Sequence, residues 1–400
     1  MRTRYEDGIR IKRWSGQEEI PVRESTKRAW IEVNLSNLHH NVSALQELLF
    51  PGCELMAVVK ANAYGHGDIL ISRYLNGIGI RSFAAATIDE AISLRKKGVK
   101  GDILILGYTP AERVIELSKY GLSQTVVDLE HARELDCYGT EIKVHIKVDT
   151  GMNRLGESCG HVKEILSAFG RKNLKVSGIF THLCVPDSME EPDIAFTRKQ
   201  IQDFYMLLER LKEKNIPIPK IHIQSSYGVL NYPELQCDYA RVGIAMYGVL
   251  STPGTTKSSL ELRPVLSLKS KVVLVKTVKA GESIGYGRSV IPKKDIKIAV
   301  VSIGYADGFP RGISREAYAL INGRRAPVTG RVCMDQLTVE VTGITNVHAG
   351  NVVTLIGRDH AEEITAKQVS VWAGTIPNEL LSRLSSCRLK RIITGTKQSL

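Results

Sequence analysis

The chain has 400 residues, 43% hydrophobic and 24% charged, which suits a soluble globular fold of about two to three domains. No window approaches the roughly 18 uninterrupted apolar residues of a membrane helix, and the first 30 residues carry scattered charge where a signal peptide has an apolar centre, so the sequence predicts a cytoplasmic protein without a membrane partner. The net charge of +12 comes from basic residues interleaved with acids and without an aromatic-basic ladder, which argues against nucleic acid and leaves small anions as the natural partners of a positive field.

In chain order, residues 1–29 read as an N-terminal extension. The first 28 of them carry eight basic and five acidic side chains and read as a solvated tract, as does the tail from Ser382 to Leu400 with five basic side chains and no acid. WIEVNL (30 to 35) alternates as a strand that could pair with either domain, and Ser36 can cap the helix behind it. From Leu55 onward eight β-prone runs recur: LMAVV (55 to 59), FAAAT (83 to 87), ILIL (103 to 106), QTVV (124 to 127), VHIKV (144 to 148), VSGIF (176 to 180), IHIQ (221 to 224) and ARVGIA (240 to 245). Helically spaced segments separate most of them, among them IDEAISLRKKG (88 to 98), PAERVIELSKYG (110 to 121), LEHARELD (129 to 136) and FTRKQIQDFYMLLERLKEK (196 to 214). The interval before the last strand has room only for a short helix. Strand and helix in alternation imply a parallel sheet, and eight units predict an α/β fold of the (β/α)8 TIM-barrel type over residues 30–262.

Beyond Arg263 the rhythm changes to period two. LSLKSKVVLVKTV (266 to 278), IKIAVVSI (296 to 303), YALINGRRAPVTG (318 to 330, with Asn-Gly as a hairpin turn), LTVEVTG (337 to 343) and NVVTLIG (351 to 357) predict a C-terminal all-β domain over 263–400, with a helical stretch from Thr365 to Leu384. Seven dispersed cysteines without a Cys-x-x-Cys pair predict reduced thiols and no zinc site.

Active sites of such barrels form at the C-terminal ends of the strands. Lys60 directly follows the first strand there; Asp149 and Arg154 follow the fifth, Thr181 and His182 the sixth, Ser225 and Ser226 the seventh, and Arg241 lies on the eighth. A lysine in a partly desolvated, cation-rich mouth loses its proton readily, and the neutral amine forms a Schiff base. With phosphate-binding loops expected after strands seven and eight, where QSSYG (224 to 228) and VGIAMYG (242 to 248) fall, the implied cofactor is pyridoxal 5'-phosphate.

Taken singly, a lysine after a strand is usually a surface charge, a histidine a satisfied structural group and a tyrosine a packed aromatic. The joint register of seven strings changes that weighting. VVKANAYGHG (58 to 67), KVDTGMNRLG (147 to 156), THL (181 to 183), YARVGIAMYG (239 to 248), SIGYGRS (283 to 289), SIGYADG (302 to 308) and RVCMDQ (331 to 336) resemble, in order, the motifs of bacterial alanine racemases across about residues 30 to 390. The resemblance implies a homodimer of barrels in which each active site, acting on a small amino acid, is completed by the partner's β-domain. WIEVNL would then belong to the β-domain.

Carried over position by position, the resemblance makes Lys60 the cofactor lysine and one catalytic base, and Tyr286 of the partner subunit the other. Two bases are needed because the proton leaves one face of a planar carbon and returns to the opposite one. A phenol is a weak base unless positive charge favours the phenolate, and the pattern supplies His182 and Arg241 behind it. Arg241 also matches the partner of the pyridine nitrogen, where a permanent donor weakens the electron sink and favours simple proton return over decarboxylation or transamination. Tyr64, Ser225, Gly243 and Ile244 match phosphate contacts, Arg154 the contact to the phenolic oxygen, and Met334 the backbone contact to the substrate carboxylate. Tyr305 joins the substrate-facing set, and Lys147 matches a lysine that some members carbamylate. A decarboxylase of similar build and a non-enzymatic cofactor carrier are the competing readings; Arg241 opposes the first and the second domain the other.

One departure bears on substrate. Seven residues after Glu379 stands Ser386, where most alanine racemases carry a bulky tyrosine. IPNELLSRL and IHIQSSYG look closer to the racemase domains of vancomycin-resistance serine racemases, although those also carry a membrane segment. A site that hydrogen-bonds a hydroxymethyl group gains about 1 to 2 kcal/mol over one that cannot. The expected activity is therefore on alanine and also on serine, with predominantly serine as the alternative.

Overall fold

The structure is a computed structural model that describes residues 27–395 other than 253, 255, 314, 315 and 385. Most of the N-terminal extension and the last five residues of the basic tail lie outside the described residues.

After β1 (Ala29–Asn34), one sheet carries β2 (Glu54–Val58), β3 (Ser82–Ala85), β4 (Asp102–Ile105), β5 (Ser123–Val126) and β6 (Ile142–Asp149). The two-residue β7 (Glu157–Ser158) hangs on β6, and β8 (Leu174–Phe180), β9 (Lys220–His222) and β10 (Tyr239–Val242) complete the set. The strands run parallel in the order β10, β2, β3, β4, β5, β6, β8, β9. Asp238 N donates to Ile221 O at 2.9 Å and Arg241 N to Gln224 O at 3.0 Å, which brings the two edge strands together and nearly closes the barrel. Its strands read as continuous apolar runs because both faces are covered: all four residues of β3 and of β10 are buried. All eight predicted strands are present.

The intervening helices follow the predicted spacing. Ile88–Lys96 starts at a capping box in which Thr87 Oγ1 accepts from Glu90 N, Leu129–Cys137 starts at Asp128, and the longest helix spans Glu191–Glu213. The segment predicted as one helix at 110 to 121 opens as a 3₁₀ turn, Ala111–Arg113, before Val114–Lys119. The short interval before β10 holds only Ser226–Asn231. One expectation fails locally. The helix Leu35–Glu47 is capped by Asn34, whose Oδ1 accepts from Asn37 N at 2.9 Å, and Ser36 lies inside it. Asn34 ends β1 in an extended conformation, and from there its amide reaches the orphan N–H three residues on.

The second sheet contains β11 (Leu266–Val278), β12 (Ile296–Val301), β13 (Tyr318–Ile321), β14 (Arg324–Pro327), β15 (Leu337–Glu340), β16 (Val352–Asp359), β17 (Glu362–Ile364) and β18 (Lys390–Thr394). β1 joins this sheet, antiparallel to β11 and parallel to β18. β13 and β14 form the Asn-Gly hairpin, with Asn322 at φ 51° and Gly323 at φ 70° as the tight turn requires. The predicted helical stretch resolves into Ala366–Trp372 and Pro377–Ser382. The second of these packs on the barrel mouth: a Cβ at Gly65 would lie 2.1 Å from Leu381 O. One continuous apolar core includes residues of both sheets.

Candidate active site

At the end of β2 the chain does something strand residues rarely do. Ala61, Asn62, Ala63 and Tyr64 all take the left-handed conformation, with φ between 50° and 55°, before Gly65 at 81°. Each such residue costs roughly 1 to 2 kcal/mol, so the turn stands only because its surroundings hold it. Ala61 N donates to Glu90 Oε1 at 2.8 Å, Ala63 N to Val59 O at 2.8 Å, and the Arg391 guanidinium donates to Gly65 O at 2.7 Å. Lys60 stands at the head of this turn.

Lys60 and Tyr64 open onto a cavity of about 410 Å³ at the C-terminal ends of the strands. Lys147 and Arg154 reach it from β6 and its loop, His182 from the end of β8, Ser225 from the end of β9, and Arg241, Gly243 and Ile244 from β10. No carboxylate is among the residues lining it. Burial, then Arg154 and Arg241, lower the Lys60 pKa, with Glu90 opposing. Burial and the same arginines push Lys147 down to about 7, and its Nζ donates to Val148 O at 2.6 Å. Arg154 and Arg241 both press on each lysine, Arg154 the more on Lys60 and Arg241 the more on Lys147. Asp149 serves the loop itself, accepting from Gly151 N and Met152 N.

Arg241 is 4% exposed and makes five bonds. Nη1 donates to His222 Nδ1 and His222 O, both at 2.9 Å, and Nη2 to Thr181 O at 2.8 Å, Ile223 O at 3.1 Å and His182 Nδ1 at 3.1 Å. None uses Nε. A guanidinium only donates, so both histidines accept at Nδ1 and carry their proton on Nε2. His222 Nε2–H then donates to His145 Nδ1 at 2.8 Å. Burial first and the neighbouring cations second hold His182 and His222 well below the usual imidazole range, and His145 is pushed down to about 4. Phe180 stacks on His222 with centroids 4.5 Å apart and lies 5.0 Å under the guanidinium.

Part of the cavity wall suits an anion. Tyr64, kept a phenol by burial that raises it to about 12, presents its hydroxyl beside Gly243, where a Cβ would lie 2.7 Å away. Ser225 stands before the Ser226–Asn231 helix without using its side chain as a cap. Hydroxyl donors, a side-chain-free glycine and a carboxylate-free, cation-rich wall fit a phosphate, and the Lys60 amine and the Arg241 guanidinium line the same cavity.

Four predicted residues lie elsewhere. Tyr286 is 69% exposed, Met334 53% and Tyr305 39%, and none lines the cavity. They share one loop cluster of the β-domain: Tyr305 N and Ala306 N donate to Cys333 O and Met334 O at 3.0 Å, and Gly287 packs against the Arg331 guanidinium. Ser386 is also exposed, two residues past Leu384, which packs at Gly65. Sequence reasoning passed over Glu90, His222, Phe180 and Asn378. Thr87-x-x-Glu90 is legible as a capping box, but its reach to Ala61 depends on the barrel. Asn378 lines the cavity from the β-domain side and pairs with Ser251.

Comparison with known proteins agrees with this geometry. The family models for the N-terminal and C-terminal domains of alanine racemase match residues 33–251 and 265–393. An amino-acid racemase of Enterococcus faecalis is 51% identical over 361 residues, covering 90% of this chain and 51% of that protein. A serine/alanine racemase of Enterococcus gallinarum is 39% identical over 369 residues, covering 91% of this chain and 52% of that protein. The chain thus spans about half the length of these two relatives. An alanine racemase structure from Clostridium difficile 630 superimposes with a TM-score of 0.87 at 34% identity, over 92% of this chain and 96% of that one. No helix among the described residues is long and apolar enough to cross a membrane. A barrel with its lysine, histidine and arginine at one mouth and a β-domain behind it, matched by both family models in order, places the chain in the alanine racemase family, whose members depend on pyridoxal phosphate.

Proposed function

We propose that the chain interconverts L- and D-alanine, and also L- and D-serine, at the barrel-mouth cavity of a homodimer, supplying D-amino acids for peptidoglycan. The observation that carries this reading is Arg241: a buried guanidinium pinned by five acceptors, with Nε unspent, opening on the same cavity as a lysine whose proton is destabilised. Lys60 Nζ would hold pyridoxal phosphate. Tyr64, Ser225 and the chain at Gly243 and Ile244 would receive the phosphate, Arg154 the phenolic oxygen and Arg241 Nε–H the ring nitrogen. When bound, the cofactor supplies an electron sink that acidifies the α-hydrogen of an amino acid.

The protein's share is proton handling on two faces. Lys60 Nζ, short of its proton in this cation-crowded cavity, takes or returns the α-proton on one face. The hydroxyl of Tyr286 of the partner subunit does so on the other, with His182 and Arg241 supporting the phenolate. Arg241 keeps its own proton, so it would leave the ring nitrogen of a bound cofactor unprotonated, which would favour proton return to the amino acid. This disfavours the decarboxylase reading, which calls for an acid at that position. The partner assignment is supported by the exposure of Tyr286, Tyr305 and Met334 on one loop cluster outside the cavity of their own chain. In it Tyr305 and the Met334 backbone would meet the substrate. Lys147, with its amine near neutrality, is suited to carbamylation beside Arg154.

Serine enters through the relative named serine/alanine racemase and through Ser386, whose small side chain would leave a polar rim. Chiral product analysis with single amino acids tests the reading. D-alanine from L-alanine, and the reverse, supports it; release of carbon dioxide and an amine, or no turnover by cofactor-loaded chain, overturns it.

A further inference from the structure

A capping-box glutamate needs only to reach back to the N-cap N–H. Glu90 does more. Its Oε2 sits 3.4 Å from Thr87 N but accepts from Ala86 N at 2.7 Å, and its Oε1 accepts from Ala61 N at 2.8 Å, 29 residues away. One carboxylate therefore joins the peptide immediately after Lys60 to the chain leaving β3. Ala61 is also the first of four consecutive left-handed residues, and a run of that kind has no intrinsic stability in L-residues. Its far end is held by Arg391 on Gly65 O and by Leu381 against Gly65. Glu90 is the side chain that holds its near end, beside the backbone bond from Ala63 N to Val59 O.

We infer that Glu90 is the positioning residue of Lys60: by clamping Ala61 N it locks the left-handed turn and keeps the lysine side chain aimed into the cavity for covalent attachment of the cofactor. This rests on the proposed cofactor role of Lys60. The charge environment agrees. Burial first, then Arg154 and Arg241, lowers the proton affinity of Lys60 and Glu90 opposes them, while Asp68 is raised by burial first and also by Glu90, which Arg391 counters. Glu90 thus bears on both the direction of Lys60 and its proton affinity, and the two effects separate in mutants.

The test uses the full chain stripped of cofactor. Two readouts are taken across pH: the rate of Lys60 labelling by trinitrobenzenesulfonate, located by peptide mass, and the Kd for added pyridoxal phosphate. Glu90→Gln keeps the size but loses the charge and one acceptor. It is expected to shift the Lys60 labelling profile to lower pH, so the small reagent reacts faster near neutrality, while pyridoxal phosphate binds about tenfold to a hundredfold more weakly. Glu90→Asp keeps the charge but cannot span both N–H groups; it should keep the labelling profile and still bind cofactor more weakly. Thr87→Ala removes the helix cap alone and should lower Tm without moving either readout. If Glu90→Gln does not fold, Glu90→Asp against Thr87→Ala decides. The inference is overturned if the Glu90 variants resemble Thr87→Ala, with lower Tm but wild-type labelling and wild-type Kd. Should the wild-type chain fail to take up pyridoxal phosphate at Lys60, the functional reading falls, and a labelling profile that still moves in Glu90→Gln upholds the link between the two side chains.

Discussion

A guanidinium taken out of water usually travels with a carboxylate, whereas Arg241 is held by three carbonyl oxygens and two imidazole nitrogens. That choice keeps negative charge away from the site, where burial first and Arg241 second hold His182 and His222 neutral. His66 and His145, both driven down to about 4 by burial from an ordinary 6.5, show the same pressure. Between pH 6.5 and 4 the unfolded chain binds protons that these folded imidazoles refuse, so stability falls as pH drops through that window and is retained above it. Urea denaturation at pH 7 and pH 5 should differ by about 2 kcal/mol for each of the two. Lys147 is depressed in the same sense, again by burial first: its amine becomes neutral as pH rises through about 7. Carbon-13 bicarbonate should therefore give a carbamate signal on Lys147 that is stronger at pH 8 than at pH 6 and absent in Lys147→Ala. For the two bases, Lys60→Ala should lose both the cofactor absorbance band and racemisation. Tyr286→Phe should keep bound cofactor and lose solvent deuterium exchange unequally for the two enantiomers; equal residual exchange would remove the two-base assignment.

At the scale of elements, the strands were readable because covered parallel strands are continuous apolar runs and the β-domain strands alternate. The Asn322-Gly323 hairpin carried its own turn chemistry. What the sequence could not show was the conformation between strands. Nothing in KANAY marks four left-handed residues, since alanine has no preference for that region and the turn is dictated by contacts from Glu90, Arg391 and Leu381. Ser36 was a fair cap by residue type, but Asn34 wins because the strand ends there. Likewise Lys60, His182 and Arg241 were legible as strand-end polar residues, whereas His222 lies inside a β-prone run and reveals its bond to Arg241 only when the barrel closes. Gly65→Ala is the element-scale prediction. Its φ of 81° and the 2.1 Å approach of Leu381 O leave no room for a Cβ, so denaturant midpoints should report a loss of about 2 to 4 kcal/mol and weaker cofactor binding. Ser386→Tyr addresses the segment beyond Leu384. If Ser386 shapes the substrate rim, kcat/KM falls more for serine than for alanine; an unchanged ratio removes it as a determinant.

At the scale of the whole molecule, the cavity and the exposed Tyr286, Tyr305 and Met334 cluster lie on different domains, and the proposed dimer would bring them together. Lys60→Ala and Tyr286→Phe chains, each inactive alone, should regain activity when mixed, because a hybrid dimer keeps one intact site. Chains that exchange subunits and stay inactive would exclude shared sites. The β1 and β18 pair has a further consequence, and it is mechanical. The two strands run parallel from Trp30 beside Lys390 to Asn34 beside Thr394, so chain enters at one end of the pair and leaves at the other. Tension applied through Ala29 and Thr394 loads the ladder in shear: its hydrogen bonds must rupture together, where a hairpin would unzip one at a time. Tethered at both ends, this fold would resist pulling first at that seam, and a single-molecule trace should show one high-force event before the barrel yields.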